Sequence, residues 1–152
     1  MENTSAKNMW GAYLDKHSNT ISNKAPKTIH FCDNEKDANE CAHLVKQEIK
    51  KATSDSLLGI QLRNEGLPKI GDLTIVTDWD GNAQCIVKTT KVQLKPFFSV
   101  DESYAKIEGE GDKSLRYWKK AHWDYYAREL KEFNREPRES MIVVCQEFEK
   151  VF

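Results

Sequence analysis

Leu73-Thr74-Ile75-Val76-Thr77-Asp78-Trp79-Asp80-Gly81-Asn82-Ala83-Gln84-Cys85-Ile86-Val87 decides the fold. Two runs rich in Val, Ile and Thr, Leu73 to Thr77 and Ala83 to Leu94, flank a short polar segment carrying Asp-Gly, the signature of an antiparallel hairpin. Pro68-Lys69-Ile70-Gly71-Asp72 reads as a turn feeding the first strand, and Pro96-Phe97-Phe98 ends the second. The closing Met141-Ile142-Val143-Val144-Cys145-Gln146-Glu147-Phe148 is a further strand, and its near-continuous apolar start suits a central place in a sheet.

Helices surround these strands. Residues from about Ser5 to Lys16 place Met9, Trp10, Tyr13 and Leu14 at helical spacing, with Ser5 as N-cap, and predict a packed lid. His17 to Lys27 reads as an irregular connection. Asp33 or Asn34 caps a second helix in which Ala38, Cys41, Ala42, Val45 and Ile49 form an apolar face and which ends around Lys50 to Thr53. Ser54 to Gly66 is mixed. A short helix begins at Val100-Asp101-Glu102-Ser103 and reaches Ala105 or Lys106. Asp112 caps a long helix to about Phe133, with Leu115, Trp118, His122, Tyr126, Leu130 and Phe133 in one stripe. The order predicts an α+β protein with a mainly antiparallel sheet, and closure into a small β-barrel flanked by helices removes exposed edges. One domain over residues 1–152 is expected, with the N-terminal helix and irregular connection at about 1–30.

Composition narrows the function classes. The chain has 152 residues, of which 39% are hydrophobic and 10% aromatic, enough for a sizeable core despite a charged content of 31%. Its 23 basic and 24 acidic residues leave a net charge of -1, so no global field favours double-stranded DNA or an anionic membrane. No apolar run approaches the roughly 18 residues of a membrane span. Cys32, Cys41, Cys85 and Cys145 are widely spaced without a C-x-x-C pair and read as reduced thiols, which makes the cytoplasm the expected compartment.

Ile107-Glu108-Gly109-Glu110-Gly111-Asp112-Lys113-Ser114 is the segment best suited to chemistry, because glycines let the backbone fold tightly and aim carboxylates at a common point. Glu108, Glu110 and Asp112 can supply a general acid or base or oxygen ligands; equally, Asp112 can be a helix cap and Glu110 a dipole partner in solvent. His122 reads either as a core group with one satisfied nitrogen or as a catalytic group. Asp78-Trp79-Asp80-Gly81-Asn82 mimics part of a calcium loop, but its place between two strands makes it a turn. No histidine or cysteine spacing matches a metal site, so no metal and no cofactor are expected. Lys46, Lys50 and Lys51 form a basic C-terminal turn, followed by the hydroxyls of Thr53-Ser54-Asp55-Ser56. A Lys50 lowered in pKa by partial burial could activate a hydroxyl or water.

These residues together resemble the ASCH domain, a small barrel related to the PUA RNA-binding fold. The resemblance rests on Leu44 to Leu57, with Lys50-Lys51-Ala52-Thr53-Ser54 where the family has G-x-K-T-x-T; on Pro68 to Asp72; on the hairpin strands to Pro96-Phe97; and on Glu108 to Asp112 with Ser114-Leu115 and Trp118 to His122. It implies a PUA-like barrel with a cleft between the lysine turn and the acidic loop. Some members are amidohydrolases acting on acetylated cytidine, and carrying over their lysine, threonine and glutamate assigns Lys50, Thr53 and Glu108 as catalytic. Others are ribonucleases or RNA-binding modules. The family glycine falls on Glu48 and the first motif threonine on Lys51, which predicts a longer helix end in place of a left-handed turn and an extra cation favouring a phosphate-bearing ligand.

The resulting expectation is a protein that binds RNA or a nucleoside-like small molecule between Lys50, Thr53 and Glu108, with hydrolysis as one outcome. Ser54, Glu110, Asp112, Ser114 and His122 are the expected ligand contacts, Trp118 or Trp10 the stacking surface, and Arg116, Lys119 and Lys120 candidate phosphate contacts. A non-catalytic PUA-type module and a regulatory protein with a vestigial cleft are the alternatives.

Overall fold

A computed structural model describes residues 3–17 and 24–152. A hairpin of unequal arms sets its centre: β3 (Leu73–Thr77) and β4 (Ala83–Pro96) pair antiparallel around the Asp78–Asn82 turn. The remaining elements are α1 (Thr4–Lys16), β1 (Lys27–Ile29), α2 (Glu35–Lys46), β2 (Ala52–Ser56), α3 (Leu57–Leu62), α4 (Glu102–Glu108), α5 (Leu115–Lys131) and β5 (Ile142–Lys150).

The strands form one five-stranded sheet in the order β1-β3-β4-β5-β2, parallel only between β1 and β3. The sheet is therefore mixed and mainly antiparallel. Strand β4 is the central one; β5, expected at the centre from its apolar start, lies inside the sheet between β4 and the edge strand β2. Strand β4 serves β3 with its first half and β5 from Val87 to Pro96, and a bulge at Thr89/Lys91 bends it so that the sheet curls into a half-barrel. The α+β, PUA-like architecture read from the sequence is the one observed.

Alternation along the hairpin distributes the core. Ile75 and Ile86 face α1 and pack on Ala6, Trp10 and Tyr13, whereas Val76, Cys85 and Val87 face the opposite side and pack on Cys41, Ala42 and Val45 of α2. A third cluster joins Trp118 and Tyr126 of α5 to Tyr104 and Ala105 of α4, Ala52 of β2 and Val143 and Cys145 of β5. Leu130, the last deeply buried residue of the α5 stripe, is 1% exposed. Each such large apolar side chain contributes on the order of 2 kcal/mol by leaving water.

Several boundaries differ from expectation. Asn3, not Ser5, caps α1: its Oδ1 accepts from the Ser5 and Ala6 amides, and the Ser5 hydroxyl instead accepts from the Ala83 amide, tying α1 to β4. Asn34 rather than Asp33 caps α2 by accepting from Asp37 N. That helix stops at Lys46, four residues before the earliest expected end, because Glu48 itself adopts the left-handed conformation at φ 62. Ser114 caps α5 by accepting from Tyr117 N, while Asp112 accepts from Ser114 N in the preceding turn. Within the expected irregular connection, β1 starts at Lys27, and residues 18–23 lie outside the described part. Strand β2 and α3 occupy the segment that read as mixed.

Candidate functional site

Two backbone turns meet at the centre of the molecule. After α2 the amides of Ile49 and Lys50 both return to Leu44 O, closing the left-handed turn at Glu48, and Lys51 N then donates to Ile107 O. On the other side α4 ends at Gly109, whose φ is 73. A Cβ on Gly109 would lie 2.3 Å from Ile49 O and 3.1 Å from Lys50 Cα. Only glycine permits both that conformation and that approach. The contact sets Glu108 beside Lys50.

The Glu108 carboxylate is 1% exposed and fully hydrogen-bonded. Its Oε1 accepts from Ser54 Oγ at 2.5 Å and from Trp118 Nε1 at 2.8 Å, and its Oε2 accepts from His122 Nε2 at 2.7 Å with Lys50 Nζ 3.5 Å away. His122 Nδ1 stands 2.8 Å from Trp118 O. A carbonyl and a carboxylate can only accept, so both ring nitrogens carry protons and His122 is an imidazolium. Lys50 Nζ donates to Ala52 O at 2.7 Å and lies 3.6 Å from Glu110 Oε2. Tyr104 and Tyr126 brace β2 from behind by donating to Thr53 O and Ser54 O.

The charges hold one another in place. Burial alone would lower the pKa of Lys50, but Glu110 and Glu108 outweigh it and push it above the ordinary lysine value. Burial likewise works against ionised Glu108, and the cations of His122 and Lys50 overcome it to hold the carboxyl below its usual range. His122 is raised, because Glu108 overrides the desolvation that would lower it. Two cations, Lys50 and His122, thus face two carboxylates, Glu108 and Glu110. The expected low-pKa Lys50 is contradicted: burial does not act on it alone, and a protonated lysine is an electrostatic group rather than a base.

These residues open onto a pocket of about 280 Å³ lined also by Thr53, Asp55, Phe31, Cys41 and Tyr125. Arg128 closes one side with a bidentate pair to Asp33, 2.7 and 3.2 Å. Seven lining carboxylates (Asp33, Asp37, Glu40, Asp55, Glu65, Glu108, Glu110) exceed three permanent cations (Lys27, Lys50, Arg128). Asp55 is pushed up to about 6 by its burial and by Glu129 nearby.

Of the expected site residues, Lys50, Thr53, Ser54, Glu108, Glu110 and His122 share this pocket. Others do not reach it. Trp118 is 2% exposed, stacked on His122 and tilted against Phe97, so it fixes the network rather than offering a face to a base. Trp10 packs under α1 in a different cluster. Asp112 is exposed and Ser114 is spent on the helix cap, both off the pocket wall. Arg116 and Lys120 point to solvent, and Lys120 pairs with Asp124. Lys51 is exposed and does not line the pocket, which removes the extra cation from the site. Sequence reasoning missed Phe31, Tyr125 and the approach of Cys32 to Cys41. Nothing in a nine-residue cysteine spacing signals that approach.

A small α+β domain with a curled half-barrel sheet and a polar pocket between two interlocked turns is the class defined by this geometry. The chain belongs to the ASCH domain family, whose model matches residues 27–152. Among solved structures, the ASCH domain from Lactobacillus crispatus JV V101 is 31% identical with a TM-score of 0.84, the match covering 99% of both chains. A protein from Enterococcus faecalis V583 is 32% identical with a TM-score of 0.88, over 97% of this chain and 88% of that one. A hypothetical protein at 19% identity and a TM-score of 0.52 shares the fold alone. No curated protein matches the chain. No helix among the described residues is long and apolar enough to cross a membrane.

Proposed function

We propose that the pocket binds a single nucleoside-like unit, free or presented as an unstacked base of RNA, and that hydrolysis of an acylated exocyclic amine is the reaction it would perform. The observation that carries this reading is the buried, charge-balanced set of Lys50, Glu108, Glu110 and His122 at the floor of a pocket of about 280 Å³. That volume sits at the low end of small-molecule sites, roughly 300 Å³ upward, and suits one heterocycle better than an extended strand. The excess of carboxylates on its walls opposes a phosphate chain and favours a neutral, donor-rich ligand. The PUA-like fold and its association with RNA supply the nucleotide class. A cytoplasmic setting belongs to the same proposal.

Within that reading the roles divide by geometry. Protonated Lys50 polarises a ligand carbonyl and stabilises the oxyanion formed on attack. Thr53 or a water is the nucleophile, and Glu110, whose side chain keeps 18% of its surface open, takes its proton in this scheme. Glu108 holds Lys50 and His122 in position. The second reading, a recognition module without turnover, is favoured by one observation: Glu108 is saturated by donors and Lys50 is engaged by three acceptors, an arrangement suited to rigid recognition.

Incubation of the pure protein with acetylated cytidine and with short RNAs decides between them. Deacetylation that falls at least about 100-fold in Lys50→Ala and Glu110→Gln supports the hydrolase, on the scale of losing an electrostatic stabiliser or general base. Binding without turnover supports the module. Full activity in both variants places the site elsewhere.

A further inference from the structure

We infer that Cys32, Cys41 and Glu110 form a binding site for a soft divalent cation of the zinc class on the wall of the pocket. Cys32 Sγ and Cys41 Sγ are 3.6 Å apart, and Cys41 Sγ donates to Glu110 Oε1 at 2.8 Å. One ligand atom from each of the three residues lies within 4.8 Å of the others. Two thiolates bound to zinc at about 2.3 Å and the tetrahedral angle stand about 3.8 Å apart, so the sulfurs need almost no movement.

The three side chains come from separate segments that the fold fixes independently. Cys41 is 4% exposed in the middle of α2. Cys32 sits between β1 and α2 at φ 67, a conformation that a non-glycine residue keeps only where its surroundings hold it. Glu110 follows the Gly109 crossing described above. Coordination through Oε1 leaves Oε2 with Lys50, so the first carboxylate oxygen is oriented by a neighbouring cation. Charge also balances: two thiolates and one carboxylate carry three negative charges against two on the cation and one on Lys50.

Glu110 belongs to a second possible group with Glu108 and His122, which is the weaker site. Glu108 already accepts from three donors with Lys50 alongside, and both His122 nitrogens are engaged. In the sulfur group the thiol hydrogen bonds run among the members themselves, from sulfur to sulfur and from Cys41 to Glu110, and end when the thiol protons leave; two thiolates select zinc-class ions over magnesium or calcium. All three residues line the pocket, so the fourth ligand is drawn from its contents, a water or a heteroatom of whatever binds there. Binding displaces the thiol protons to solvent and involves no redox step. The inference shares Glu110 with the nucleoside reading but does not rest on it, since cation binding is read with no nucleoside present.

Cobalt(II) titration of the reduced, full-length protein, with no nucleoside present, tests it. One equivalent should give thiolate-to-cobalt charge-transfer absorption in the near ultraviolet with visible bands of tetrahedral intensity, and one equivalent of zinc should abolish both. Cys32→Ser and Cys41→Ser should each weaken binding by on the order of 100-fold, as loss of one of three protein ligands demands, and Glu110→Gln by about 10-fold with the charge-transfer band retained. Cys32 is only half-buried, so if Cys41→Ser fails to fold, Cys32→Ser and Cys32→Ala decide the matter, with circular dichroism as the folding check. Absence of the charge-transfer band, or cobalt affinity unchanged in the Cys32 variants, overturns the inference.

Discussion

Replacing Glu108 by Gln isolates the contribution of the buried charges without changing shape. The amide oxygen can keep Ser54 and Trp118, whose donors reach Oε1. The amide nitrogen must then occupy the Oε2 position, where it confronts two further donors, His122 Nε2 at 2.7 Å and Lys50 Nζ at 3.5 Å. Breaking a buried ion pair by removing one partner costs about 3–5 kcal/mol, much of it from the stranded charges. For a domain of this size each kcal/mol moves the melting temperature by about 2–4 °C, so a fall of about 6–20 °C is expected. Thermal and urea unfolding of the wild type, Glu108→Gln, Lys50→Met and the double variant, all with a chelator present, close a mutant cycle. The double variant should be more stable than the sum of the singles by roughly 1–3 kcal/mol, because it removes both halves of one interaction. Single losses below about 1 kcal/mol that simply add would refute the account of Glu108 as the hub of the network.

Other expectations follow from particular residues. Gly109→Ala should destabilise by more than about 2 kcal/mol in urea unfolding, combining the left-handed penalty with a Cβ 2.3 Å from Ile49 O. Glu48→Gly should do the reverse, by up to about 1 kcal/mol, since Glu48 already holds φ 62. Asp55 binds its proton more tightly folded, at about 6 against an ordinary 3.8, so stability falls as pH rises between those values and the cost persists above the upper one. Asp55→Asn should therefore match the wild type near pH 3.5 and exceed it at pH 7 by roughly 1–2 kcal/mol after allowing for partial exposure, measurable by denaturant titration at both pH values. Trp10 Nε1 is buried without a partner among the described residues, so Trp10→Phe removes an unsatisfied donor and should cost little stability while leaving pocket affinity unchanged by calorimetry.

Periodicity made the hairpin, α2, α5 and β5 legible, because each has one face or both against the core. Strand β2 was illegible for a physical reason. Ala52-Thr53-Ser54-Asp55-Ser56 has weak strand propensity and owes its conformation to pairing with β5; Ser54 and Ser56 are buried because Glu108 and Glu129 accept their hydroxyls. The same distance dependence governs the site. The nearness of Lys50 to Glu108 came from family resemblance, not from spacing, and its protonation state depends on Glu110, a group only the fold places beside it. Aromatic content signalled stacking, yet whether Trp118 turns inward or outward is set by Glu108, ten residues earlier. Cys41 looked like one more small apolar residue of α2, a role it also fills.

The crossing of main chains at Gly109 and Ile49 makes the site a matter of registry. One residue inserted into either turn would slide Lys50 past Glu108 by about 3.5 Å, a full step of extended chain, and no side-chain rearrangement could restore the pairing. Length in these two turns is therefore constrained, while identity at wall positions outside the charged network and the cysteine pair is not. Relatives that acquire new ligands should do so by exchanging residues such as Phe31, Asp37 or Tyr125 around an unchanged crossing, and a library that varies those walls while keeping both turns intact should retain folded members.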